Sequence, residues 1–445
     1  MRKKIMLLSV GILALAGCGP KEESSGGGAS YTPAAELKGE LEVAAFKGGY
    51  GIDFYEKAAK EFQQKNPALK INVWGDPRVW EKLRPRFIGG DPPDLAFPGW
   101  DFDHFALAQE DGLMDLGPAL KSKPYEGEGT WGETFDPNAL KLAQLDGKQV
   151  TLPLYVMLYG WWYDPGLFAK NGWRAPKNWD ELLALCAKIK AKGIAPITYQ
   201  GQYPYYMIEG MLMPWAYSIG GPDAVRAAQN LEPGAWKSPA FIQAAKMIVE
   251  LRDKGYLQAG ATAMSHTEAQ IEFLNGRAAM IPCGTWLESE MKNQIPEGVK
   301  MEFFLPPVVA GGKGDPTALV IGIEPWMVPS AAKNPDAAIE FFKYMTSLSK
   351  AKEFVETKGT LMAIKGSTDG VKLPEVLVKP AEFFKASKDA YASMFKQWYR
   401  AFETEIENAL TAMLNGKLTP EQFCERVEAA AKKTREDDGI KKYKL

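Results

Sequence analysis

The sequence predicts an α/β protein built as two large lobes, and two observations carry that prediction. From Glu40 onward, short apolar runs alternate with amphipathic stretches, the pattern of strands interleaved with helices. The chain has 445 residues, and a single hydrophobic core stops growing near roughly 250–300 residues, so a chain this long divides. Its composition, 46% apolar, 24% charged and 11% aromatic, is that of a globular protein and excludes a disordered or fibrous one.

The elements follow in chain order. Arg2-Lys3-Lys4 and the apolar run Ile5 to Ala16 form the n- and h-regions of a signal peptide, residues 1–17, too short for a comfortable membrane span. It ends in Leu15-Ala16-Gly17-Cys18, which resembles the bacterial lipobox, so Cys18 is expected to become the lipidated N-terminus. An ordinary secretory signal with a chance cysteine is the alternative. Residues 18–35, with Gly26-Gly27-Gly28, form a polar tether.

Leu41 to Phe46 is predicted as a strand and Ile52 to Lys65 as a helix with Phe54, Ala58 and Phe62 on one face, stopped by Asn66-Pro67. Lys70 to Trp74 and Leu95 to Phe97 are the next strands, the latter entered from Gly89-Gly90-Asp91-Pro92-Pro93-Asp94. This βαβ opening makes the loops at the strand ends the ligand-facing edge. Further on, Asn178 is placed to cap a helix with Glu181 at the capping-box position and Leu182, Cys186 and Ile189 as its buried stripe. Asn334-Pro335 and Thr419-Pro420 open two more helices, with proline where its missing N–H costs nothing.

Several function classes are excluded. Lys and Arg number 53 against 55 Asp and Glu, with no basic half to recruit nucleic acid. Only His104 and His266 are present, too few for a histidine zinc site or a Ser/His triad, and no metal or cofactor is expected. Cys186, Cys283 and Cys424 share no metal-type spacing; whether any two form a disulfide is left open.

Four stretches resemble the extracellular solute-binding protein family of bacterial sugar ABC transporters, the family of the maltose-binding proteins. They are Gly89 to Asp94; Gly160 to Phe168 with Ala175 to Leu182; Phe273 to Met280 with Gly284-Thr285-Trp286; and Pro325 to Met345. Asp164 and Asn178 replace the family's usual Asn and Thr and preserve turn and capping chemistry. Phe46-Lys47-Gly48-Gly49-Tyr50-Gly51 and Leu83-Arg84-Pro85-Arg86-Phe87 are similar to the branch associated with N-acetylglucosamine and chitobiose. The resemblance implies a two-lobe periplasmic-binding-protein fold with discontinuous lobes, residues 36–152 with 305–345 and residues 153–304 with 346–445. It implies three hinge crossings, near Val150 to Leu154, Met301 to Leu305 and Tyr344 to Ser347. It also implies a monomer that delivers a neutral sugar to permease subunits without cleaving it; with the Cys18 anchor it is expected at the cell membrane, facing the periplasm or exterior.

A neutral sugar offers hydroxyls and apolar C–H faces, so its site needs flat aromatics and a few hydrogen-bonding carboxylates or amides. The chain has 13 Trp and 17 Tyr. Trp286 is placed in the cleft by the Gly-x-Trp resemblance. Trp100 beside Asp101 pairs a platform with an acceptor, with helix capping as the alternative role for Asp101. Tyr155 lies just past the first crossing, and Glu324 is a hydroxyl acceptor on the returning strand. Tyr205 and Trp215 flank a proline-containing loop, with lobe packing as the alternative; Lys47 and Trp398 complete the candidates. The rival class is a secreted glycoside hydrolase using Asp101 and Glu324 as its carboxylate pair.

Overall fold

The structure is a computed structural model that describes residues 31–100 and 102–445. The proposed signal peptide, Cys18, most of the tether and Asp101 therefore lie outside the described residues.

The first sheet is parallel, in the order β2-β1-β3, with β1 at Gly39–Phe46, β2 at Leu69–Asp76 and β3 at Leu95–Phe97. Leu41, Val43, Ala44 and Ala45 of β1 are all buried, as expected for a parallel sheet covered on both faces. The helix Asp53–Lys65 packs on it through Phe54, Tyr55, Ala58, Ala59 and Phe62 and ends at Asn66. A hairpin follows, β4 (Gln144–Leu145) and β5 (Lys148–Gln149), turning through Asp146 and Gly147, both at positive φ, the geometry that favours Asp-Gly.

The longest strand, β6 (Leu152–Tyr163), organises the second sheet. With β7 (Ala195–Ile197), β8 (Ala278–Gly284), β9 (Glu302–Phe304), β10 (Leu319–Trp326), β11 (Leu361–Met362) and β12 (Ala390–Tyr391), its order is β12-β10-β6-β8-β7, and β9 and β11 also pair with β6. β10 runs antiparallel to β6 from Tyr159 back to Leu152. It then meets the first sheet, where Met327 and Ala96 exchange backbone hydrogen bonds of 2.8 and 2.9 Å. β6 and β10 thus span the molecule between the two sheets.

The segments expected as crossings take these places. β6 begins within the first. In the second, β9 pairs with Trp161–Tyr163 at the far end of β6, and the strand that returns to the first sheet is β10. In the third, the helix Pro335–Met345 gives way to the helix Leu348–Lys358. That second helix packs back on Asp53–Lys65, with the Phe354 and Phe54 rings 4.8 Å apart, Lys57 bonded to Glu353 at 2.7 Å and Lys350 paired with Glu61. Residues 348–358 therefore sit with the first sheet, although the sequence expectation grouped them with the second lobe: their apolar stripe and their charges both have partners on Asp53–Lys65.

Helix starts follow their local chemistry. Asn178 Oδ1 accepts from Glu181 N at 3.0 Å, but Glu181 reaches back to Lys177 N (2.8 Å) rather than to Asn178 N, so the box is displaced by one residue. Thr419 and Gln422 close a complete capping box. Cys186, Cys283 and Cys424 are buried and unbridged. His104 is buried as well, which pushes its imidazole down to about 4.

Candidate functional site

Strands β6 and β8 meet with Tyr159 opposite Gly284. Trp286, two residues later, folds its indole back over that glycine so closely that a Cβ on Gly284 would come within 1.8 Å of the ring. The Gly-x-Trp spacing thus has a mechanical reason, since only a residue without a side chain leaves room for the indole. The loop is tied down by Trp162 Nε1 donating to Gly284 O at 3.0 Å and by Thr285 N donating to Leu158 O at 3.0 Å.

Around the indole the structure assembles a tyrosine wall. Tyr159 meets Trp286 edge-on, centroids 5.1 Å apart and planes at 83°. Tyr206 lies tilted at 6.1 Å, and Tyr205 stacks on Tyr206 at 4.3 Å. Trp286, Tyr159 and Tyr205 are half-buried, whereas Tyr206 is buried. Flat rings with accessible faces and phenolic hydroxyls are what a pyranose needs for stacking and orientation.

On the first sheet, Trp100 follows β3 and Lys47 follows β1, both at carboxyl ends of parallel strands, where ligands gather in open α/β sheets. Trp100 is half-buried and edge-on to Phe97 at 5.4 Å; Lys47 is exposed, its backbone N–H bonded to Asp76 O at 3.1 Å. The neighbouring helix His104–Gln109 is capped by Asp103, whose Oδ1 accepts from Ala106 N at 2.9 Å.

Other expected residues are placed elsewhere. Trp215 is 0% exposed, edge-on to Trp179 at 5.1 Å, with Nε1 bonded to Pro307 O at 3.0 Å. A ring with no open surface and a satisfied N–H has no face for a ligand, so Trp215 is a core residue. Tyr155 is buried, stacked on Phe354 at 5.8 Å and edge-on to Tyr50 at 5.2 Å. Glu324 is 2% exposed; its Oε1 accepts from Tyr55 Oη and from Trp326 Nε1, each at 2.7 Å, and Tyr155 is a third donor. Burial pushes its carboxyl up to about 7 against these donors. This closed knot, where the pairing of β10 with β6 shifts register between Ile323 and Pro325, leaves Glu324 no free face for a sugar hydroxyl. Trp398 is half-buried and packs on Tyr443 at 5.3 Å, at the end of the short helix Phe395–Trp398 that meets the helix His104–Gln109.

The sequence reading missed Tyr159, Tyr391 and Glu209. Glu209 lies in a π-helical turn, Ile208–Leu212, a distortion common at functional sites. The turn is held by Trp161 Nε1 donating to Gly210 O at 2.8 Å. Glu209 is 8% exposed and among the described residues accepts one hydrogen bond, from Ser393 Oγ at 3.0 Å. Burial pushes its carboxyl up to about 7. A signal was available: Glu209 is the lone charge in Met207-Ile208-Glu209-Gly210-Met211-Leu212-Met213. No group of His, Cys, Asp and Glu suited to a metal ion occurs among the described residues.

Comparison with known proteins agrees with this architecture. Diacetylchitobiose binding protein NgcE of Streptomyces coelicolor is 28% identical over 436 residues, 96% of this chain and 91% of that protein. Among solved structures, RafE from Streptococcus pneumoniae superposes with a TM-score of 0.72 at 21% identity, covering 90% of this chain and 98% of that one. A chitin oligosaccharide binding protein superposes with a TM-score of 0.69 at 20% identity, covering 89% and 98%. These two likenesses establish the periplasmic-binding-protein fold. The family model described as bacterial extracellular solute-binding protein matches residues 48–352. The chain therefore belongs to the bacterial extracellular solute-binding protein family, whose members bind their solutes rather than transform them.

Proposed function

We propose that this solute-binding protein captures a neutral saccharide, N-acetylglucosamine or chitobiose, and delivers it to the permease of an ABC importer. The observation that carries the reading is the aromatic wall of half-buried Trp286, Tyr159 and Tyr205 backed by the buried Tyr206. The Streptomyces relative aligned over 96% of this chain, a diacetylchitobiose binding protein, supports the sugar class. Trp100 and Lys47, at the strand ends of the first sheet, face the ligand from the other lobe in this reading, and Asp101, next to Trp100 in the sequence, is proposed as a hydroxyl acceptor.

The lobes are proposed as the first sheet with helices 53–65, 335–345 and 348–358, and the β7-β8-β9 end of the second sheet with the remaining helices. β6 and β10 are the hinge strands between them, and closure is a rotation of one lobe on the other. Tyr155 and Glu324 belong to this hinge, and Trp398 and Trp215 to the packing of the second lobe. The protein works as a monomer held to the membrane by an acylated Cys18; no helix among the described residues is long and apolar enough to cross a membrane.

Calorimetric titration of the mature chain with a saccharide panel, with scattering on the same samples, tests the reading. Saturable binding of N-acetylglucosamine or chitobiose with a smaller radius of gyration is expected. Tight binding of a peptide or polyamine instead, with no saccharide bound, would overturn it. Separately, Cys18→Ser should release the protein into the soluble fraction; a variant that stays with the membrane refutes the acyl anchor.

A further inference from the structure

We propose that Glu209 is a ligand-binding residue of this cleft, its carboxylate accepting a hydrogen bond from a hydroxyl or amide N–H of the saccharide. The proposal rests on the saccharide reading above and adds to it a residue and a proton.

Placement comes first. Glu209 lies on the π-helical turn that packs against β6 and β8, where Gly210 abuts Pro282 and takes the indole N–H of Trp161. Its charge acts on Tyr159, the tyrosine edge-on to Trp286, and on Tyr391 of β12, while Ser393 donates to its Oε2. Glu209 therefore adjoins the aromatic wall on the side where β6 and β12 flank the turn.

The second observation is its deficit of partners. An ionised carboxylate offers about four acceptor positions, and buried polar groups are almost always satisfied. Glu324, equally enclosed, has three donors. Glu209 has one among the described residues, and its Oε1 has no hydrogen bond there. An acceptor oxygen without a hydrogen bond among the described residues, on a residue beside half-buried aromatic rings, matches a polar ligand group and is unsuited to a purely structural tie.

The third is the surrounding charge. Glu403, Glu407 and Arg400 face the region from the helix Arg400–Leu414, Lys396 from Phe395–Trp398, Tyr159 from β6, Tyr391 from β12 and Tyr205 from the turn before Glu209. Burial and then the charge of Glu407 raise Glu403 to about 8, so it too titrates near neutrality and needs its own control. Burial leaves the free Glu209 carboxyl near 7. A ligand donor favours its ionised form, so binding expels a proton and affinity rises with pH.

The test is calorimetric titration of the mature chain with chitobiose and with N-acetylglucosamine at pH 6, 7 and 8. Wild type should gain about tenfold in affinity from pH 6 to 8, the span set by a carboxyl moving from near 7 to well below 6. Glu209→Gln should bind near the wild-type pH 6 level with a flat profile, and Glu403→Gln should keep the slope. Ser393→Ala, which removes the one donor to Glu209 among the described residues, should move the midpoint of the profile upward. A flat wild-type profile, a slope that survives Glu209→Gln, or an unmoved midpoint in Ser393→Ala overturns the proposal while leaving saccharide binding intact. Absence of any saccharide binding overturns the saccharide reading, and this proposal falls with it.

Discussion

Glu324 and Glu209 are both enclosed carboxyls, both pushed up to about 7 by burial, yet their surroundings differ in kind. Glu324 sits where β10 meets the helix Asp53–Lys65 and takes hydrogen bonds from Tyr55, Trp326 and Tyr155. Glu209 sits on a distorted helical turn beside half-open tyrosines and takes one bond from a serine. A perturbed pKa alone assigns the same weight to each. The hydrogen-bond inventory separates them: a saturated carboxyl holds elements together, and an unsaturated one has acceptor capacity left for a ligand.

The largest expected effect sharpens the structural half of that comparison. Glu324→Ala strands three buried donors and leaves a void, so denaturant unfolding should show a loss of about 3 kcal/mol or more. A change under about 1 kcal/mol would mean the knot is dispensable. Next comes Trp286→Ala, which should weaken saccharide binding by about 2 kcal/mol, roughly thirtyfold, with Trp286→Phe recovering part because a smaller ring still stacks. Trp215→Phe is the contrast: it removes a satisfied buried N–H and ring volume, so it should lower stability by about 1–3 kcal/mol and leave affinity on the folded fraction unchanged. A large affinity loss there would return Trp215 to the binding site.

The same comparison carries a pH trend. The folded-state pKa of Glu324 is raised above its ordinary value near 4.5 to about 7, so the folded state holds the proton more tightly than the unfolded chain. Its contribution to stability is full below the unfolded pKa and declines as pH rises through about 7. Glu324→Gln carries no such proton, so its stability relative to wild type should improve from pH 5 to pH 8, read by paired urea titrations. A constant difference between the two proteins would show that Glu324 does not titrate as described.

Much of the fold was legible because its determinants are local. The Phe54, Ala58, Phe62 stripe, the Asn178 cap and the Thr419-Pro420 helix start each lie within a few residues of the element they define, and all three are present. In the site, Gly284 and Trp286 are legible for the same reason, since the indole rests on its own strand end. The roles of Glu324 and Trp215 were not. The partner Tyr55 lies 269 positions from Glu324, and Pro307 lies 92 from Trp215, so whether each side chain is satisfied is decided by tertiary contacts. Tyr159 was hidden in a strand whose other eleven residues are all buried, and only pairing with Gly284 shows that its ring reaches the indole.

The account's central claim is that Trp286 and its tyrosine wall bind a saccharide, and one paired measurement tests it most directly. Wild type and Trp286→Ala, purified together, are titrated with chitobiose and N-acetylglucosamine and unfolded in urea. The account predicts saturable wild-type binding of one of these sugars, a roughly thirtyfold loss in the variant and an unfolding midpoint that moves little. Unchanged affinity in a strongly destabilised variant would contradict it and make Trp286 a core residue.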